Sequence, residues 1–378
     1  MQIPFNRPYI TGKEIDYIKD TFLRGKLSGD GFYTKQVSHF LENTFCIKKV
    51  LLVTSCSAAL DMSAMLLNLK HGDEVILPSY TFVSTANAFV LRGALPVFAD
   101  IQENTMNIDP REIEKKITPK TKAIYVVHYA GVSCEMQEIM QVARKYNIPV
   151  VEDAAQGVNS MYKDQYLGSI GDIGCYSFHE TKNYSCGEGG AILINQSNWI
   201  ERAEILREKG TNRSKFFRGE IDKYTWVDIG SSYLISEILA AHLFAQLEQM
   251  QNIQQLRKNI FDFYYENLLD YEKRGKIRLP SLPEYCQQNY HMFYIRFETE
   301  KIRDRVMNQL KASGILAIFH YVPLHLSDMG QKFGYKQGDL PITEKCSSTL
   351  LRLPFYAGME RRDQEYILEK LQNLLNTV

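Results

Sequence analysis

Lys182 stands in the run Cys175-Tyr-Ser177-Phe-His-Glu-Thr-Lys182-Asn-Tyr-Ser-Cys-Gly-Glu-Gly-Gly190, and upstream of it lies Val150-Val-Glu-Asp153-Ala-Ala-Gln156-Gly157. An apolar strand closes on an acidic residue; a more polar strand, a lysine and a glycine-rich turn follow. A lysine amine can bond covalently to an aldehyde, and a carboxylate can keep a ring nitrogen protonated so that the ring draws electrons from a carbanion. These are the working parts of pyridoxal 5′-phosphate (PLP) chemistry. For a lone lysine a solvated surface position is the ordinary reading. Ser177, the glycine turn and the distant Asp153 outweigh it here.

Other residues fit the same chemistry. Thr54-Ser-Cys56-Ser57-Ala-Ala-Leu60 follows a strand and opens a helix, where free N–H groups and the positive end of the helix dipole hold phosphate. Helix capping by Ser55 or Ser57 explains those residues equally well on its own. Ser177 adds a hydroxyl at a strand end. Asp153 suits a pyridinium partner, with a capping or turn aspartate as the alternative. Gln156, one turn on, suits a bond to the cofactor's ring hydroxyl. Phe82, in Pro78-Ser-Tyr-Thr-Phe82-Val-Ser84, suits stacking on the ring, although an aromatic there is more often core. Lys182 then acts twice, as covalent anchor and as the base and acid that moves a proton. His320-Tyr321-Val-Pro-Leu-His325 gathers two histidines and a tyrosine beside a proline. A zinc site needs further ligands that the sequence does not place, so the reading is substrate contact, with a packed histidine as the alternative.

These residues need a frame. From about residue 48 to 195, apolar runs alternate with helical patterns: Lys49–Val53, Glu74–Leu77, Leu95–Phe98, Ala123–Val127, Ile148–Val151 and Ala191–Ile194, with helices over Ala58–Leu69, Val83–Leu91 and Met136–Tyr146. Strands apolar throughout predict an α/β fold whose mostly parallel sheet is covered on both faces. Ligands sit beyond the carboxyl ends of such strands, where Thr54, Pro78–Tyr80, His128 and Asp153 fall. Residues 211–232 read as a long functional loop and 234–270 as helix-rich. Beyond about 275, strand-like His291–Phe297 and helical 301–313 and 361–376 predict a smaller α+β unit. The expected division is a large PLP-binding domain over 1–240, and a connecting helix with the smaller C-terminal domain over 241–378.

Across the 378 residues, 44 Lys and Arg balance 44 Asp and Glu, so no basic field invites nucleic acid or an anionic membrane. No apolar run is long enough to span a bilayer. The N-terminus lacks the pattern of a signal peptide. Seven scattered cysteines without a C-x-x-C pair read as reduced thiols, and the expectation is a cytoplasmic protein. No Walker or dinucleotide glycine pattern is present, which argues against a nicotinamide dehydrogenase.

The chain resembles the DegT-like nucleotide-sugar aminotransferases, PLP enzymes of fold type I. The most specific segments are Pro78–Phe89, Glu152–Gly157 and Ser177–Asn183; Gly25–Gly31, Val127–Gly131, Arg207–Arg213, Lys223–Trp226 and His320–His325 extend the likeness over essentially the whole chain. The resemblance implies the aminotransferase fold, a large domain with a mixed, mostly parallel sheet plus a smaller one. It implies transfer of an amino group from L-glutamate to the C4 keto group of dTDP-4-keto-6-deoxy-D-glucose, through the pyridoxamine form (PMP) of the cofactor. The products would be dTDP-4-amino-4,6-dideoxy-D-galactose and 2-oxoglutarate, for a cell-surface polysaccharide such as enterobacterial common antigen or an O-antigen. Carried over, Lys182 is the Schiff-base lysine, Asp153 the pyridinium partner, Ser177 with backbone groups of Cys56 and Ser57 the phosphate ligands, and Phe82 the stacking ring. Ser28, His320, Tyr321 and His325 become substrate contacts. The family is usually a homodimer, and Ser232 stands beside the position where many relatives send an asparagine to the neighbouring subunit's phosphate. Relatives that dehydrate deoxysugars replace the lysine with histidine, so Lys182 argues against that reaction. A PLP-binding regulator would need a DNA-binding module, and none is visible.

Overall fold

The computed structural model describes residues 2–377. A seven-stranded sheet runs in the spatial order Lys49–Val53, Gly190–Ile194, Ile173–Ser177, Val150–Asp153, Thr121–Val127, Glu74–Pro78, Leu95–Ala99. Four of the six pairings are parallel; Gly190–Ile194 is antiparallel to both its neighbours. The expected mostly parallel sheet is therefore mixed at one side, because a hairpin joins Ile173–Ser177 to Gly190–Ile194.

Successive side chains of a strand point to opposite faces, and here both faces are covered. Leu52, Ile76, Ile124, Val150 and Leu193 belong to one apolar cluster; it includes Val37 and Leu41 of helix Phe32–Phe45, Ile139 of Met136–Tyr146 and Leu243 of Glu237–Glu248. Their chain neighbours Leu51, Val75, Tyr125, Val151 and Ile192 belong to a second cluster, with Leu60 of helix Cys56–Leu66 and Phe89 of Val83–Val90. That two-sided burial is why these strands read as continuous apolar runs.

A third cluster serves the C-terminal unit. It joins Ile260, Phe261 and Tyr264 from the later part of helix Met250–Lys273 to Val306 of Glu300–Ala312 and Ile367 of Arg361–Leu375. A two-stranded ladder, Tyr294–Arg296 with Leu350–Arg352, contributes Ile295 and Leu351 to it. A division at 240/241 would fall inside helix Glu237–Glu248. The first cluster extends to Ile253 and the third begins at Ile260 on the same helix. Ile3 also packs with the C-terminal unit, through Ile3 N–H to the Gly314 carbonyl at 2.8 Å. Within 211–232 the chain forms the short helix Arg213–Phe217 and bridges Thr211 to Trp226.

Candidate active site

The hairpin that makes the sheet mixed also places the lysine. Ser177 and Gly190 pair across it, and Phe178 N–H donates to the Gly189 carbonyl at 2.8 Å and Cys186 N–H to the Phe178 carbonyl at 3.0 Å. Between them, Lys182 N–H donates to the His179 carbonyl at 2.9 Å, and Gly187 turns the chain at φ +84°. Lys182 is half-buried and lines a cavity of about 520 Å³. Burial foremost pulls its amine below the ordinary lysine value.

Asp153 ends its strand inside the same cavity, 6 % exposed. Its Oδ2 accepts from Thr85 Oγ1 at 2.7 Å and its Oδ1 from Ala155 N–H at 3.2 Å. Burial raises its pKa, while those bonds and the nearby Lys182 oppose the rise. A buried carboxylate with only two neutral donors is suited to a cation brought from outside.

One wall is the start of helix Cys56–Leu66. Ser55 caps it, Oγ accepting from Ala58 N–H at 3.1 Å, and Ser57 Oγ donates to Ser84 Oγ at 2.7 Å. The first-turn N–H groups of Cys56 and Ser57 have no acceptor within the helix and border the cavity beside Ser177. Gly190 makes that closeness possible, since a Cβ there would meet the Ser55–Cys56 peptide itself. Burial pushes the Cys56 thiol well up, so it stays protonated.

Phe82 lines the cavity at 56 % exposure, which removes it from the core. Gln156 is fixed at both ends: Oε1 accepts from Ala130 N–H at 2.7 Å, and Nε2 donates to Tyr321 Oη at 3.2 Å. His320 lines the cavity with its Nδ1 3.1 Å from Tyr129 Oη, and burial, then Arg352 and Lys182, keep its ring uncharged.

Nine of the residues read from the sequence thus share one cavity: Cys56, Ser57, Phe82, Asp153, Gln156 and Ser177 with Lys182, His320 and Tyr321. Three do not. His325 is fully buried, with Nδ1 2.7 Å from Ser79 Oγ and Nε2 3.1 Å from Glu344, which is the packed histidine kept as the alternative. Ser28 and Ser232 line a different, more open cavity of about 900 Å³ with Lys26, Arg207 and Arg213.

Thr85 and Arg352 are among the residues that went unseen in the sequence. Thr85 lies within a helix pattern, where a threonine signals nothing. Arg352 reaches the cavity from the C-terminal ladder, its guanidinium 4.6 Å from the Phe5 ring centroid and its Nε without a hydrogen-bond partner.

The sequence profile of the DegT/DnrJ/EryC1/StrS aminotransferase family matches residues 8–372. The chain belongs to that family. It is 31 % identical to the spore coat polysaccharide biosynthesis protein SpsC of Bacillus subtilis, over 99 % of this chain and 97 % of that one. The aminotransferase TlmJ from Streptoalloteichus hindustanus superposes with a TM-score of 0.92 at 28 % identity, covering all of both chains. The PLP form of the sugar aminotransferase Spr1654 from Streptococcus pneumoniae gives 0.92 at 27 % identity, over 100 % of this chain and 99 % of the other. This chain is a PLP-dependent sugar aminotransferase of the same α/β fold. Its cavity fits the cofactor: an amine of lowered basicity, a buried carboxylate, a helix N-terminus with room made by a glycine, and an exposed aromatic ring. No helix among the described residues is long and apolar enough to cross a membrane.

Proposed function

We propose that this enzyme moves the amino group of L-glutamate to the C4 keto group of dTDP-4-keto-6-deoxy-D-glucose. The products are dTDP-4-amino-4,6-dideoxy-D-galactose and 2-oxoglutarate, and the route is that of a cell-surface polysaccharide. The observation that carries amino transfer is Lys182 sharing a cavity with the buried Asp153. The polysaccharide role of SpsC supports the pathway class, and the resemblance over Val127–Gly131, Phe178–Tyr184 and Lys223–Trp226 supports the sugar.

Bound in the cavity, the cofactor supplies an electron sink for the carbanion at the donor's Cα. The chain does the rest. Asp153 holds the ring nitrogen protonated. Ser177 and the N–H groups of Cys56 and Ser57 would bind the phosphate, Phe82 would stack on the ring, and Gln156 would hydrogen-bond its hydroxyl. Lys182 Nζ anchors the aldehyde and, once released, takes the proton from the donor's Cα and later returns one to the sugar carbon. Arg352, a cation without a carboxylate partner among the described residues, suits the donor's carboxylate. His320 and Tyr321 lie where the sugar enters. Ser28 and Ser232, in the second cavity, suit a homodimer in which Ser28 would contact the substrate and Ser232 the cofactor phosphate of the neighbouring subunit. Location in the cytoplasm accords with free cysteines and a nucleotide-linked substrate.

Incubation with PLP, L-glutamate and dTDP-4-keto-6-deoxyglucose, followed by NMR of the sugar, tests the assignment. An axial C4 amine is expected. An equatorial amine would make the product the glucose-configured sugar, and no amination of this acceptor would move the enzyme to another keto sugar. Loss of water without amination would restore the dehydratase, which Lys182 opposes.

A further inference from the structure

Asn183 follows Lys182 in the chain, and its amide is fixed. Its Nδ2 donates to the Asn289 carbonyl at 2.8 Å, so its Oδ1 is the atom 2.8 Å from His291 Nδ1. That oxygen only accepts, so Nδ1 carries the ring proton and Nε2 keeps its lone pair. His291 is 5 % exposed and lines the Lys182 cavity. It also shares with Lys182, Asn183, Ser177 and Gln156 a small recess of about 10 Å³. With Nδ1 taken, Nε2 is the ring nitrogen left to face these spaces. Burial foremost, then the charges of Lys182, Arg257 and Arg352, with His320 adding to them, hold the imidazole well below its ordinary pKa. The ring is an uncharged acceptor at neutral pH.

We propose that His291 is a positioning residue for Lys182, its Nε2 accepting a hydrogen bond from the lysine amine, directly or through one water, whenever that amine is free. Such an acceptor has a task here. A lysine that alternates between covalent anchor and proton carrier needs a fixed resting place, and His291 offers an acceptor in both spaces that Lys182 lines. Asp153 already accepts from Thr85 and Ala155, and in the proposed reaction its remaining acceptor capacity would go to the ring nitrogen. Cys56 is a protonated thiol, and Arg352 is a like charge. His291 accepts without taking the proton, which remains on Nζ, so the amine is aimed and not discharged. The inference relies on the amino-transfer reading for its use, and on the Asn183–His291 geometry for its substance.

The experiment uses the full chain stripped of cofactor. Trace labelling with acetic anhydride across pH, with the Lys182 peptide quantified by mass spectrometry, gives the amine's pKa in wild type, His291→Gln and His291→Leu. Leucine removes the acceptor and is expected to lower the lysine pKa by about one unit, a tenfold change in its protonation equilibrium. Glutamine, whose amide oxygen can replace Nε2, is expected to retain most of it. Equal values in all three proteins overturn the proposal. Should the leucine variant fail to fold, ¹⁵N spectra of the wild-type histidine ring decide: a protonated Nδ1 with a bare Nε2 is expected, and the opposite tautomer overturns it. Neither measurement involves a sugar or a donor, so a wrong sugar assignment leaves both results standing.

Discussion

Thr85 Oγ1 donates to Asp153 Oδ2 at 2.7 Å, and both residues are buried. Thr85 spends its proton on the carboxylate, so in the 2.8 Å contact between Thr81 and Thr85 hydroxyls Thr81 is the donor. The pair of threonines thus aims and stabilises an acid that burial pushes toward its neutral form. Thr85→Val keeps the volume and deletes the donor. A hydrogen bond to a charged group is worth about 1.5–3 kcal/mol, so PLP affinity should fall roughly 10- to 100-fold. Titration of the cofactor's absorbance checks this, and unchanged affinity would remove Thr85 from the site.

Without cofactor, Asp153 works against the fold at neutral pH. Its folded pKa is raised above the unfolded value, so its contribution is full below the ordinary carboxylate range and is lost as pH rises through the folded value. Asp153→Asn should therefore melt above the cofactor-free wild type at neutral pH, with the gap closing on acidification below that range. Added PLP should reverse the order, because only the carboxylate pairs with a protonated ring nitrogen. Thermal melts at two pH values, with and without PLP, read both signs.

Gly190 is where two backbones meet. An alanine Cβ would press on the Ser55 carbonyl carbon and the Cys56 nitrogen, which cannot swing aside as a flexible side chain would. Overpacking of this kind costs about 1–3 kcal/mol, so Gly190→Ala should melt lower. It should also displace the Cys56 and Ser57 N–H groups proposed to bind the phosphate. The advantage of PLP over phosphate-free pyridoxal in binding should shrink, whereas a general loss of fold would weaken both ligands alike.

What the sequence disclosed follows from how local each signal is. The meeting of Lys182 and Asp153 in one cavity was legible because each sits in a short run of site-like residues, and the strands because burial on both faces leaves an unbroken apolar run. The reversed direction of Gly190–Ile194 was hidden, since an apolar run carries no sign of its orientation. His320 and His325 looked equivalent, five positions apart, yet the first lines the cavity and the second fills the core. Thr85 and His291 take hydrogen-bond partners more than sixty and a hundred positions away in the chain, Asp153 and Asn183. The change of core at Ile253 to Ile260 was invisible because one uninterrupted helix carries both faces.

Arg352 brings the last test. It ends the strand Leu350–Arg352 in the C-terminal unit, and its backbone is tied to Ile318, with N–H to carbonyl at 2.8 Å. The guanidinium therefore enters the cavity from a fixed strand, with Nε unpartnered and Phe5 beneath it. Burial presses on its charge, but an arginine keeps its proton. A half-buried cation with no carboxylate partner among the described residues suits a bidentate anion. Arg352→Gln removes the charge and leaves a shorter polar side chain. Loss of a charge-assisted bond predicts a fall of about 10- to 100-fold in kcat/KM for L-glutamate. The sugar half-reaction should change little. Single-turnover absorbance traces measure the two halves separately, and a fall confined to the sugar half would assign the guanidinium to the nucleotide's diphosphate instead of the donor's carboxylate.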